Sequence, residues 1–328
     1  GKRWMGVLFS VLLIICFAYG FNGLQSYNMS SALEYYIPGY SESSYPMIVG
    51  LILAVGTGLI IFGGVHRIGF ITSVMVPIMA GAYLLMGLFT IVTHLPQLPG
   101  IFAMILSEAF DFQAIFGGMA GSAVVIGIKR GLFSNEAGMG SAPNAAASAS
   151  VSHPAKQGMV QVISVFIDTL LICSATAMML LLSGVQGEAG VLDGIPFVQK
   201  AISANVGTWG IHFITASIFA FAFSSLIGNY YYAESNILFI KNNKVLLFVF
   251  RCTCLLAVFL GAQADFSLVW NLADITMGCM AIVNIIAILL LGNIALKVLK
   301  DYETQKKAGK NPVFKAENVG IKNTDCWK

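Results

Sequence analysis

Apolar runs long enough to cross a bilayer recur along this chain, and nothing constrains its fold more. About 20 predominantly apolar residues cover the hydrocarbon core as a helix. The sequence offers eight such stretches, near 4–27, 47–64, 69–92, 113–130, 158–183, 208–230, 245–262 and 267–295. Of its 328 residues 57% are hydrophobic and 10% charged, with a mean hydropathy of +0.82, far from the usage of soluble domains. The expected fold class is an all-α polytopic membrane protein, with a transmembrane unit over 1–295 and a basic tail over 296–328.

Charge placement gives an orientation. With the first span entered from the cytoplasm, 16 of the 18 Lys and Arg residues fall on the cytoplasmic side, among them Arg3, Arg67, Lys129, Arg130, Lys156, Lys241, Lys244 and Lys297. Lys200 lies outside and Arg251 within a span, while the external loops carry Glu34, Glu42, Glu108, Asp111, Glu188, Asp193 and Asp265. Lys/Arg bias in short loops orients membrane proteins, and an even number of spans returns the tail to the cytoplasm. The net charge of +3 follows from this topology and gives no sign of nucleic-acid binding. Five of the six cysteines sit in spans and Cys326 in the tail, which reads as reduced thiols. Cys252 and Cys254 point to different helix faces, and the four histidines are scattered, so neither a transition-metal site nor any other cofactor is expected. The first span starts almost at Gly1 with no signal-peptide pattern ahead of it; the chain is expected to be N-terminally truncated.

One interruption stands out. Lys129-Arg-Gly-Leu-Phe-Ser-Asn-Glu-Ala-Gly-Met-Gly-Ser-Ala-Pro143 puts charge, an amide and glycines directly after a span, then runs into the small-residue tract 144–150. A helix broken in hydrocarbon survives only where protein or a cavity supplies the missing backbone partners, and such breaks are where secondary transporters bind substrate and ions. The break is expected over 132–136, around Ser134, Asn135 and Glu136. The preceding span begins with the small-residue run Gly117-Gly-Met-Ala-Gly121, which favours close helix approach. Residues 101–110 and 195–205 read as two short external amphipathic helices.

Polar groups within spans are expensive, about 2.5–3.5 kcal/mol for a central charge on insertion scales, and are functional candidates by default. Asp168 and Asp274 are the two carboxylates in spans; each suits cation binding, proton carriage or hydrogen bonding to a broken helix. The adjacent hydroxyls Ser224 and Ser225 suit sodium, which prefers hard oxygen ligands, or bond back to their own helix. Gln25 and Asn28 lie one turn apart on one face of the first span, suited to a zwitterion or to interhelical hydrogen bonding.

At these residues the chain resembles the alanine or glycine:cation symporter family, the sodium–amino acid symporters of prokaryotes. The resemblance rests on the Lys129–Pro143 stretch, supported in order by Gly63-Gly-Val-His-Arg-Ile, Phe166-Ile-Asp-Thr, Phe223-Ser-Ser-Leu-Ile-Gly, Tyr231-Tyr-Ala-Glu and Val269-Trp-Asn-Leu-Ala-Asp. It implies a leucine-transporter-like fold of two inverted five-helix repeats, with about eight of eleven spans present here. A first broken helix with a Gly-Thr-Gly-Asn type motif would precede them. Candidate substrate contacts are then Gln25, Asn28, Phe133, Ser134, Asn135, Ser225 and Asn229, and candidate sodium ligands Ser224, Ser225 and Asp168. The family usually has Thr at the position of Ser225 and an aromatic residue at that of Asn229. The function implied is sodium-coupled import of alanine or glycine by alternating access, by a monomer in a prokaryotic plasma membrane with both ends of the chain cytoplasmic. An intramembrane aspartyl protease using Asp168 and Asp274 lacks the expected Gly-x-Gly-Asp flanks, and a channel is the other alternative.

Overall fold

The computed structural model describes residues 3–63, 65–110, 119–187, 192–321 and 327, with the side chains of 65–73 and 119–124 excepted. The start of the expected fourth span, including Gly117 and Gly118, lies outside the described residues, as do Asp111, Glu188 and Cys326. The described residues form helices and no strand. In chain order these are α1 (Arg3–Tyr36), α2 (Tyr45–Ile61), α3 (Val65–Thr93), α4 (Leu98–Ala109), α5 (Met119–Asn135) and α6 (Ala142–Ala147), followed by α7 (Pro154–Leu181), α8 (Gly194–Val206), α9 (Trp209–Ile240), α10 (Lys244–Gly261) and α11 (Phe266–Lys307). Six are long and apolar enough to cross a membrane: α1, α3 over Val74–Thr93, α7, α9, α10 and α11. The apolar α2 is shorter, at 17 residues. This is an integral, multi-pass membrane protein.

Helix α1 is the central strut. Leu13, Cys16, Phe17, Ala18 and Leu24 are fully buried against α9, α10 and α11. The outer helices show the opposite pattern, with Leu289 and Leu290 of α11 more than half exposed, as a lipid-facing surface requires. Apolar burial gives no preference between helix and lipid, so packing in the bilayer depends on small residues and hydrogen bonds. The crossing of α1 and α10 illustrates both. A Cβ on Gly261 would stand 2.5 Å from the Gly23 backbone, and Ser26 Oγ donates to the Val258 carbonyl at 2.6 Å. At the neighbouring crossing of α2, a Cβ on Gly50 would meet the Phe259 carbonyl oxygen at 2.7 Å.

Two helices carry a π-helical turn, Ile14–Phe21 in α1 and Ile167–Cys173 in α7. Wider i→i+5 turns of this kind are rare and concentrate at functional sites. Nothing in the apolar periodicity of either segment announces them.

The stretch from 296 to 321 is more ordered than a basic tail implies. Helix α11 runs on to Lys307, and the segment after it turns back onto the junction of α6 and α7. There Phe314 N donates to the Ser152 carbonyl at 2.9 Å and Ser152 Oγ to the Pro312 carbonyl at 2.9 Å. His153 is fully buried in this latch. Its Nδ1 accepts from Ala155 N at 3.1 Å, capping α7, and its Nε2 lies 3.3 Å from Asp301 Oδ2. The Phe314 ring packs edge-on at 5.2 Å, and Lys156 reaches Asn311 Oδ1 at 2.6 Å.

The two short helices expected over 101–110 and 195–205 form, as α4 and α8. Helix α8 is not merely surface-lying: Gln199, Ala201 and Ile202 are buried, and Gln199 Nε2 donates to the Ala32 carbonyl at 2.9 Å.

Overpacking a tight crossing costs about 1–3 kcal/mol. Gly261→Ala is therefore expected to lower the thermal unfolding midpoint of the detergent-purified protein by several degrees. Gly56→Ala on α2, with no atom within 4 Å of the added Cβ, leaves it unchanged.

Candidate functional site

The interruption in the chain is a real break, placed slightly later than expected. Helix α5 continues through Ser134 and Asn135, and the backbone unwinds over 136–141. The glycines decide this: Gly138 and Gly140 take φ of 85° and 99°, conformations that residues with a Cβ adopt rarely. Gly140 has a second reason, because a Cβ there would stand 2.6 Å from the Phe9 ring and 2.9 Å from the Asn284 amide carbon. Glu136 adopts φ 55° without being glycine, a strained setting that neighbours must hold in place.

Side chains satisfy the opened backbone. Asn135 Oδ1 accepts from Ala137 N at 3.0 Å, Asn284 Nδ2 donates to the Gly138 carbonyl at 2.9 Å, and Asn144 Nδ2 donates to that of Gly140 at 3.1 Å. Ser141 Oγ donates to the Glu136 carboxylate, tying the two ends of the break together. Asn144 Oδ1 also accepts from Asn236 Nδ2 at 2.9 Å, which anchors α6 to α9.

A cavity of about 380 Å³ opens beside the break, lined by Phe21, Gln25, Phe133, Ser134, Glu136, Ser225, Gly228, Asn229 and Tyr232. The structure thus brings together Gln25, Phe133, Ser134, Ser225 and Asn229, five of the residues singled out from sequence. Asn28 is not among the lining residues. Asn135 turns from the cavity, donating from Nδ2 to Thr169 Oγ1 at 3.1 Å. Sequence reasoning missed Phe21, Glu136, Gly228 and Tyr232 as wall residues. Glu136 stood within the interruption itself, and Tyr232 within the Tyr231-Tyr-Ala-Glu stretch.

Of the paired hydroxyls, Ser224 Oγ donates to the Phe221 carbonyl at 2.9 Å, back-bonding within its helix. Its lone pairs stay available to a cation. Ser225 bonds to none of the described residues. Asp168 lies on the π-helical turn of α7, where Oδ2 accepts from Ser134 Oγ at 2.6 Å, and Cys173 Sγ is 3.0 Å from the same hydroxyl. With the Asn135–Thr169 bond, this pins the end of α5 to α7.

Asp274 has different company. Arg130 hydrogen-bonds to it and Lys129 Nζ is 3.7 Å away. The Arg130 guanidinium also lies 4.2 Å from the centroid of the Trp270 ring. Asp274 is nine residues along α11 from Asp265, about 13 Å at helical rise. Its carboxylate compensates both cations, and the Trp270 ring face adds to the attraction for Arg130. Ring contacts continue from Trp270 to Phe133 at 5.3 Å and from Phe133 to Phe21 at 4.9 Å, capping the cavity with aromatic surface. With Asp168 and Asp274 bonded to different partners, the shared-proton pair of an aspartyl protease is not present.

The sequence pattern of the sodium:alanine symporter family matches residues 1–316. The chain belongs to this family. It is a family of transporters, not enzymes. Among similar proteins, the amino-acid carrier protein AlsT of Bacillus subtilis is 46% identical over 329 residues, covering 100% of this chain and 69% of that protein. A probable sodium/glutamine symporter, GlnT, of the same organism is 46% identical over 99% of this chain and 67% of its own length. The sodium/alanine symporter AgcS of Methanococcus maripaludis is 37% identical over 81% of this chain and 59% of its own. The chain thus spans roughly 59–69% of the length of these relatives.

Removing one member of a desolvated ion pair leaves the other charge uncompensated, at about 3–5 kcal/mol when fully buried and less here, where Arg130 is 35% exposed. Asp274→Asn is expected to destabilise the protein by roughly 1–3 kcal/mol in thermal unfolding, whereas Asp274→Glu retains most of the stability.

Proposed function

We propose that this family member is a sodium-coupled symporter that imports a small neutral amino acid, alanine or glycine, by alternating access. The observation that carries the reading is the convergence of Gln25, Phe133, Ser134, Ser225 and Asn229 on one cavity beside the helix break. A break that presents polar groups to a cavity is how transporters bind a zwitterion within the bilayer. The names of relatives as sodium/alanine and sodium/glutamine symporters support coupling to sodium and an amino-acid substrate.

The reading extends to architecture. Eight spans in the leucine-transporter-like arrangement, both ends cytoplasmic, in the plasma membrane of a prokaryote and acting as a monomer, agree with the basic Arg3, Lys241, Lys244 and Lys297 sharing one side. In this scheme α5 approaches the break from the outer side and α6 leaves it towards the inner. The aromatic and ionic cap made by Phe133, Arg130, Trp270 and Asp274 closes the outer approach to the cavity. The Asn144–Asn236 contact holds the inner half against α9.

Sodium needs hard oxygen donors, and Ser224 and Ser225 offer two on one turn of α9. Asp168 is the weaker candidate, its carboxylate already engaged by Ser134. Binding couples to transport when ion and substrate favour one state of the carrier over the other. In this protein Ser225 joins the two, being both a cavity residue and a neighbour of Ser224.

The test is uptake of labelled alanine into proteoliposomes by the protein expressed from its complete reading frame. Changing Ser224 and Ser225 together to Ala is expected to raise the sodium concentration for half-maximal uptake about tenfold, one lost ligand interaction of about 1.4 kcal/mol. Unaltered sodium dependence in the double variant overturns the ion site, and wild-type flux indifferent to sodium, as through a channel, overturns symport.

A further inference from the structure

We infer that Asn229 makes this pocket selective for neutral amino acids whose side chain forms hydrogen bonds, with alanine and glycine the weaker ligands. The inference rests on the cavity beside the break being the substrate site, and it specifies the side chain that site takes.

Asn229 lies on α9 one turn beyond Ser225, so the two share a face and both line the cavity. It is only 6% exposed, and its Nδ2 has no partner. No described residue hydrogen-bonds to either end of its carboxamide. A buried amide left unpaired carries a desolvation penalty, which an occupant of the cavity can relieve.

The other polar groups of the wall divide the work. Every amino acid presents an ammonium and a carboxylate, and the groups suited to them lie with the break: Glu136 supplies a carboxylate, while Ser134 and Gln25 supply a hydroxyl and an amide. Ser134 and Glu136 are already oriented, by Asp168 and Ser141. That leaves the Ser225–Asn229 face for the side chain.

Size points the same way. At about 380 Å³ the cavity falls in the range of small-molecule sites, roughly 300–1,000 Å³, and accommodates more than a methyl group. The methyl group of alanine or the hydrogen of glycine offers the Asn229 amide no hydrogen-bond partner. A hydroxyl or carboxamide on the substrate supplies one. Sites built around such a buried polar group discriminate against isosteres that lack the matching group far more strongly than apolar pockets discriminate by size.

The experiment compares isosteres that differ in polarity, serine against α-aminobutyrate and asparagine against leucine. The readout is the concentration that half-maximally raises the thermal midpoint of the detergent-purified protein at fixed sodium. Wild type is expected to bind the polar member of each pair about tenfold more tightly, the size of one satisfied buried hydrogen bond. Asn229→Leu brings the ratio to about one, and Asn229→Gln, which keeps the carboxamide, retains the polar preference. Equal or tighter binding of the apolar isosteres by wild type overturns the inference, as does an unchanged ratio in Asn229→Leu. If Asn229→Leu does not fold, the wild-type ratio and Asn229→Gln decide it. Sodium-driven uptake of alanine, serine and asparagine is measured in parallel. Absence of uptake for all three overturns the transport reading while the isostere ratio still reports on Asn229; intact uptake with a ratio near one overturns the selectivity alone.

Discussion

Between α5 and α6 the backbone gives up its helical hydrogen bonds inside the helix bundle, and side chains around it make good that loss. A buried N–H or C=O without a partner costs as much as a lost hydrogen bond, and hydrocarbon offers none. Asn135, Asn144 and Asn284 supply amides to the opened chain, and Ser141 ties back to Glu136. Those side chains come from the break itself and from α11, so the break fixes which helices stand beside it. The cavity is the space that remains when α5 stops and α6 starts on a displaced path, with α1 and α9 forming the far wall.

Charge is handled by the same logic. Lys129 and Arg130 could enter a membrane domain only with compensation close by, and α11 provides it in Asp274 and the face of Trp270. Arg251 meets the requirement on α10 by donating to Glu234 and to the Tyr230 hydroxyl, both at 2.8 Å. Neither pair is a strong source of stability, since desolvation offsets most of the Coulomb attraction. They fix position: one joins α5 to α11 above the cavity and the other joins α9 to α10.

Packing supplies the frame. The glycine contact between α1 and α10 brings two backbones together where larger side chains would hold them apart. The two π-helical turns do the reverse, widening α1 just before Phe21 and α7 at Asp168, the points where each helix meets the break or its cavity. The folded-back chain end, with Phe314 against His153, holds the junction of α6 and α7 from outside the membrane domain. Helix α6 is thereby tethered at both ends, to α9 through Asn144 and to the α11 extension through the latch.

From the sequence by itself came the helical class, the membrane setting and the residues that would meet at a site. Apolar runs of span length leave little alternative to helices, and polar groups within such runs stand out because the bilayer makes them costly. Gln25, Ser134 and Ser225 were legible for that reason, as polar interruptions of apolar text, whereas Phe133 and Asn229 were picked out only through the family resemblance. Tertiary structure alone decided which charges pair. A count of basic residues is blind to Asp274, the counter-ion of Arg130, 144 residues away in sequence. Tertiary structure also moved the break past Ser134 and Asn135 to the glycines, and assigned Asp168 and Asp274 to separate partners. Each of these depends on contacts between helices far apart in the chain, and such contacts leave no periodicity for a linear reading to find.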